Sequence, residues 1–152
     1  YYTSGKTRIV YDFNENINNL YKNKSFDFLS YNDALSKYNL NELLNRHQER
    51  INYYLSNIDK LNNATKRIGA TPIFINQLMS GGNNNEALFA LNYSLIKHCQ
   101  KNNYNCIDLA KKLMGKKDFW WDGIHTTIKG SNEISNMIFP ELYDFILEID
   151  LN

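Results

Sequence analysis

The stretch of this sequence best suited to chemistry is Phe119-Trp120-Trp121-Asp122-Gly123-Ile124-His125. A carboxylate three residues before an imidazole, on one loop, can turn back and accept the imidazole Nδ1–H. That bond fixes the tautomer and leaves Nε2 to take a proton from a nucleophile, so Asp122 and His125 are the candidate catalytic pair. Trp120 and Trp121 would shield such a pair from water or line a pocket beside it. Taken alone, D-x-x-H is a short pattern, and a solvated loop that happens to carry an Asp and a His is the competing interpretation.

No other constellation has comparable content. Ser4-Gly5-Lys6-Thr7 matches only the end of a phosphate-binding loop; the earlier glycine and the strand before it are missing. Cys99 and Cys106 are read as two buried thiols, and with His98 they lack the fourth ligand and the spacing of a zinc site. His47 falls on an apolar helical stripe and reads as a core or boundary histidine. Lys111-Lys112 and Lys116-Lys117 read as a solvated basic face. Asn76-Gln77 ends the strand that should point at the site, where it could offer a polar contact to substrate that the sequence does not assign. Neither a metal nor a cofactor is expected.

The elements that must position the pair follow from periodicity. Leu40, Leu43, Leu44, His47, Ile51, Tyr54, Leu55, Ile58, Leu61, Ala64 and Ile68 recur near every 3.6 residues and predict one long amphipathic helix. Asn39 or Asn41 can cap its start and Gly69 suits a left-handed stop. Thr71 to Gln77 is a short β-branched run, read as a strand buried on both faces. Glu86 to Asn102 predicts a helix, Tyr104 to Asp108 a second buried strand, and Leu109 to Met114 a short helix. Lys116 to Thr126 is a loop, and Thr127 to Ile149 a last helix that Pro140 should kink. Residues 1–39 are poorly defined. Arg8–Tyr11 and Phe26–Leu29 are candidate short strands, Asn14 to Lys24 has helical spacing, and Ser30-Tyr31-Asn32-Asp33 has turn chemistry. The alternation of helix and strand predicts an α/β fold. It would be a three-layer α/β/α, flavodoxin-like parallel sheet, incomplete on its amino-terminal side, with the D-x-x-H loop at the carboxyl ends of the strands.

Taken together, Thr71–Gln77, Cys106-Ile107-Asp108-Leu109-Ala110 and Phe119–Ser131 resemble the carboxyl-terminal half of an SGNH/GDSL-type hydrolase. That family's last block is D-x-x-H, a short linker, a glycine and a helix; here these are Asp122, His125, Gly130 and the terminal helix. The resemblance covers about residues 40–150. It implies hydrolysis of acyl esters, including O-acyl groups on carbohydrate, through a Ser-His-Asp triad. His125 would be general base and then general acid, and Asp122 its orienter. The family's Gly-Asp-Ser nucleophile block does not occur anywhere in the sequence. Ser4 lacks the strand and turn that a nucleophile needs. Ser30-Tyr31-Asn32-Asp33 is the one echo of the family's G-x-N-D block, which would make Asn32 an oxyanion donor. The expectation is therefore a single, truncated hydrolase-like domain over residues 1–152. It would supply the His and Asp but not the nucleophile, and be inactive in isolation. The alternative is a non-catalytic α/β module that binds a ligand or partner through the same crevice.

Composition bounds the partners. The chain has 152 residues, with 17 Lys+Arg against 16 Asp+Glu for a net charge of +1. A balance this even argues against a dedicated nucleic-acid or anionic-membrane surface. No apolar run approaches the roughly 18–20 residues of a membrane span, and the first residues lack the basic-then-apolar pattern of a signal peptide. The expected substrate is a small-molecule or carbohydrate ester. An incomplete parallel sheet would leave an apolar edge, calling for an amino-terminal partner segment or self-association.

Overall fold

The computed structural model describes residues 31–77, 85–114, 116–120 and 125–150. In chain order these form α1 (Tyr31–Lys37), α2 (Leu40–Arg46), α3 (Gln48–Arg67), β1 (Ile73–Ile75), α4 (Asn85–Asn102), β2 (Asn105–Ile107), α5 (Leu109–Leu113), a 3-10 turn (Lys117–Phe119) and α6 (Ile128–Asp150).

The expected three-layer, flavodoxin-like sheet is not what forms. Among the described residues the fold is mostly helical, with one two-stranded parallel sheet. The physical reason is visible in the pattern. Among the described residues the long apolar repeats are helical, and the two strands, Ile73–Ile75 and Asn105–Ile107, last three residues each. The other segments expected as strands, Arg8–Tyr11 and Phe26–Leu29, lie outside the described residues, as does the helical spacing of Asn14 to Lys24. β1 is also not buried on both faces: Phe74 is buried while Ile75 is 43% exposed. It follows the alternation of a strand with one covered face.

The two strands pair in register, Ile73 with Asn105, Phe74 with Cys106 and Ile75 with Ile107. Phe74 and Cys106 therefore share a face. That face is covered by α3 and α4, through a cluster of Ile58, Phe74, Leu95 and Cys99. A second cluster joins α1, α2, α3 and α4 through Ala34, Leu43, Ile51, Phe89 and Ala90. Tyr31 and Tyr38 flank it, with rings 5.5 and 5.6 Å from that of Phe89. A third, Leu109, Leu113 and Phe119, joins α5 to the 3-10 turn and to Ile134, Met137 and Ile138 of α6.

The long helix expected over Leu40–Ile68 divides at His47, which closes α2 and opens α3. The hydrogen-bond ladder crosses the junction, His47 N–H to Leu43 O and Ile51 N–H to His47 O. Both expected ends hold. Asn39 Oδ1 accepts from the Glu42 N–H. Gly69 takes φ +78°, with Gly69 N–H bonded to Lys66 O and Ala70 N–H to Thr65 O, the paired bonds of a Schellman stop. Pro140 lies within α6, which runs on through it. Asn32 is not in a turn but in the first turn of α1, exposed, with its carbonyl accepting from Ser36 Oγ.

Cys99 and Cys106 are not free thiols; they form a disulfide. Cys99 sits on the face of α4 that packs on the sheet, and Cys106 points to the same side as Phe74. Asn103, at φ +53°, reverses the chain between them. Spacing alone hides this, because the contact is made by a helix folding back over the strand that follows it.

Candidate functional site

The loop that carries the candidate pair is clamped at both ends. Trp120 and Thr126, the residues that flank the stretch, form an isolated antiparallel bridge. Thr127 then engages every polar group it has. Its N–H donates to Phe119 O at 2.9 Å, and its carbonyl accepts from Ser131 N–H at 2.8 Å. Its hydroxyl donates to Asp118 O at 3.1 Å and accepts from Gly130 N–H at 3.0 Å. The last bond is an N-cap on α6. Thr126 Oγ1 and Ser131 Oγ are 2.8 Å apart. Gly130 is required here: a Cβ on it would lie 2.2 Å from Phe119 O, far inside contact distance. The glycine lets the first turn of α6 close on the 3-10 turn.

Phe119 carries this clamp into the core. It packs with Leu109 and Leu113 of α5, the helix that leaves the carboxyl end of β2. At that end Asn76, 2% exposed, links the two strands. Its Nδ2 donates to Asp108 Oδ1 at 2.7 Å, and its Oδ1 accepts from Ala110 N–H at 2.7 Å. Asp108 also caps α5, accepting from Lys111 N–H at 3.1 Å. Asn92 Nδ2 holds the Gln77 carbonyl at 2.6 Å. The carboxyl ends of β1 and β2 are thus tied by side chains, and the Asn76 amide is engaged within the fold.

His125 is exposed, next to the bridge residue Thr126. Asp122 and Trp121 lie outside the described residues. Trp120 is half-buried in the Phe119 cluster, and its indole Nε1 is buried without an acceptor among the described residues. Ser4 and the Ser4-Gly5-Lys6-Thr7 stretch also lie outside them. Among the described residues no group of His, Cys, Asp and Glu could hold a metal ion. No described helix is long and apolar enough to cross a membrane.

One polar cluster has no signal in the sequence. Asp59 Oδ1 lies 2.6 Å from His98 Nε2 and accepts from Tyr104 Oη at 3.0 Å. A carboxylate only accepts, so the His98 proton sits on Nε2. The His98 bond, above all, holds the Asp59 carboxyl below its usual range, and the Tyr104 bond adds to it. Burial and the Asp59 bond push the Tyr104 phenol up. The Lys66 ammonium stands 5.9 Å from the Tyr104 ring centre. The partners are 39 and 45 residues apart, and only the packing of α3 on α4 brings them together.

A groove of about 650 Å³ lies between α4, β2, α5 and α6, lined in part by Gln100, Tyr104, Cys106, Asp108, Lys112 and Glu141. Several of its polar groups are already engaged by other side chains. Lys112 pairs with Glu141 and donates to Met137 O at 3.1 Å, Asp108 holds Asn76, and Tyr104 holds Asp59. His125 is not among its described lining residues.

Comparison of the chain with protein-family models, with curated proteins and with solved structures found no match in any of the three.

Proposed function

We propose that this chain carries the base and orienting residues of an acyl-ester hydrolase, His125 and Asp122, and that the hydroxyl nucleophile comes from outside this sequence. In this reading Asp122 accepts the His125 Nδ1–H, and Nε2 takes the proton of a hydroxyl as it attacks an ester carbonyl. The imidazolium then returns that proton to the leaving alcohol. The substrate class is an acyl ester, with O-acylated carbohydrate included.

The observation that carries the reading is the clamp around the loop. The Trp120–Thr126 bridge, the Thr127 bonds and the close approach of Gly130 to Phe119 hold together the residues that flank the Asp122–His125 stretch. A base and its orienter need fixed flanks, because their geometry must hold to a fraction of an ångström. The sequence resemblance of the D-x-x-H-to-glycine block supports the same reading.

The test is proton NMR of the chain, joined to an ester assay. A downfield imidazole N–H resonance should belong to His125 and disappear in Asp122→Asn. Nitrophenyl acetate should not be turned over above the rate of free imidazole. Turnover abolished by His125→Ala would keep the hydrolase class but overturn the external nucleophile. A His125 ring proton indifferent to Asp122→Asn would overturn the reading itself.

A further inference from the structure

The Cys99–Cys106 disulfide is not sealed in the core. Both of its cysteines line the groove of about 650 Å³ between α4, β2, α5 and α6, a volume ordinary for a small-molecule site. The two differ in access. Cys99, on the packed face of α4, is 3% exposed, whereas Cys106 on β2 is half-buried. Ile96 and Tyr104 line the groove beside them, with the exposed side chains of Gln100 and Lys111.

The bond also joins residues that other contacts already hold. Tyr104 N–H donates to Cys99 O at 3.0 Å, around Asn103 at φ +53°. Asn102 Nδ2 donates to His98 O at 2.8 Å. His98 and Tyr104 both bind Asp59 of α3, and Cys106 pairs in register with Phe74. None of these contacts uses a sulfur. Reduction therefore removes the cross-link and leaves in place the bonds that set Cys99 opposite Cys106, so the dithiol is positioned to close again.

We propose that Cys99–Cys106 is a reversible thiol–disulfide exchange site, and that its groove admits a low-molecular-weight thiol. The thiolate of that molecule attacks Cys106 Sγ, the more accessible sulfur. A mixed disulfide forms, the Cys99–Cys106 bond breaks, and Cys99 leaves as a thiolate that takes a proton from water. A second thiolate attacks the sulfur of the small molecule in the mixed disulfide and releases Cys106. One protein disulfide is thereby reduced to two thiols while two small thiols are oxidised to one disulfide. In the reverse direction Cys106 attacks first, and Cys99, buried and kept neutral by its apolar surroundings, resolves the mixed disulfide.

The experiment treats the full chain with reduced and oxidised glutathione, without denaturant. Thiols are counted by alkylation and mass spectrometry, and folding is followed by circular dichroism. Reduced glutathione should open the bond with the helical signal retained, and oxidised glutathione should close it. Cys99→Ser should take up one glutathione on Cys106 about tenfold or more faster than Cys106→Ser does on Cys99, because exchange follows access to the sulfur. Gln100→Trp places a large ring at the groove from an exposed position, so it should slow opening by glutathione about tenfold with the fold intact. A bond that opens only in denaturant, or a helical signal lost on reduction, would make it a structural staple and overturn the proposal. Equal uptake by the two serine variants would overturn the role of Cys106. An unchanged rate in Gln100→Trp would overturn entry through the groove. Opening by a protein dithiol but not by glutathione would overturn the choice of a small thiol.

Discussion

The carboxamide of Asn76 donates to Asp108 Oδ1 at 2.7 Å and accepts from the backbone N–H of Ala110 at 2.7 Å. One buried side chain thereby joins the carboxyl end of β1 to the carboxyl end of β2 and to the first turn of α5. Hydrogen bonds to a charged partner contribute about 1.5–3 kcal/mol, and a buried donor left behind adds its desolvation cost. Asn76→Ala should therefore destabilise the fold by about 2–4 kcal/mol, measured by urea unfolding. Asn76→Asp should be as harmful at neutral pH, because it sets a second carboxylate against Asp108. It should recover in part on acidification, when one of the two can be protonated.

Gly130→Ala tests the clamp. Its Cβ would meet Phe119 O at 2.2 Å, a backbone atom that cannot swing aside, so α6 and the 3-10 turn must separate. Overpacking of this kind costs about 1–3 kcal/mol. The change should also perturb the amide resonances of Thr126 and Thr127 and the ring resonances of His125. Unchanged stability and unchanged His125 resonances in the Gly130→Ala variant would show that the close approach does not hold the loop.

Thr127→Val keeps the shape but removes the hydroxyl that accepts from Gly130 N–H and donates to Asp118 O. Loss of an N-cap costs about 0.5–2 kcal/mol, so a lowered melting temperature is expected. Amide exchange should accelerate first at Gly130 and Ser131, and a uniform change across the chain would count against a local cap.

The Asp59 cluster makes stability depend on acid pH with a definite sign. The folded chain holds the Asp59 carboxyl below its usual value of 3.8, through His98 first and then Tyr104. Folding thus favours the carboxylate. The contribution is present above the unfolded value and is lost as the pH falls through the lower, folded one. Asp59 is partly exposed, so solvent screening keeps the contribution small. Asp59→Asn should lower stability at neutral pH and flatten the acid limb of the stability profile. A variant with an unaltered acid limb would remove the cluster from any role in pH dependence.

Reducing the Cys99–Cys106 disulfide opens a short loop, the two residues being seven apart. Chain-entropy reasoning for a loop of that size gives about 2–3 kcal/mol. Cys99→Ser with Cys106→Ser should lose that much by denaturant unfolding, with protection lost first around Asn103 and Tyr104. Free-thiol titration of the unreduced chain should find no thiol.

Local instructions were readable from residue order. Asn39 opens α2 and Gly69 stops α3 as their chemistry demands, α4 and α6 begin and end within a residue or two of their apolar repeats, and the D-x-x-H stretch leads into a capped helix. These features depend on neighbours within a turn or two of chain, which is the range over which periodicity and capping act. The layer count was not readable, because a three-residue run such as Ile73-Phe74-Ile75 does not reveal how many strands lie beside it. Nor were the break at His47, the Cys99–Cys106 bond, the tie between Asn76 and Asp108 or the joining of Asp59, His98 and Tyr104. The last two pair residues far apart in the chain, and the packing of apolar faces decides which polar groups end within hydrogen-bond reach.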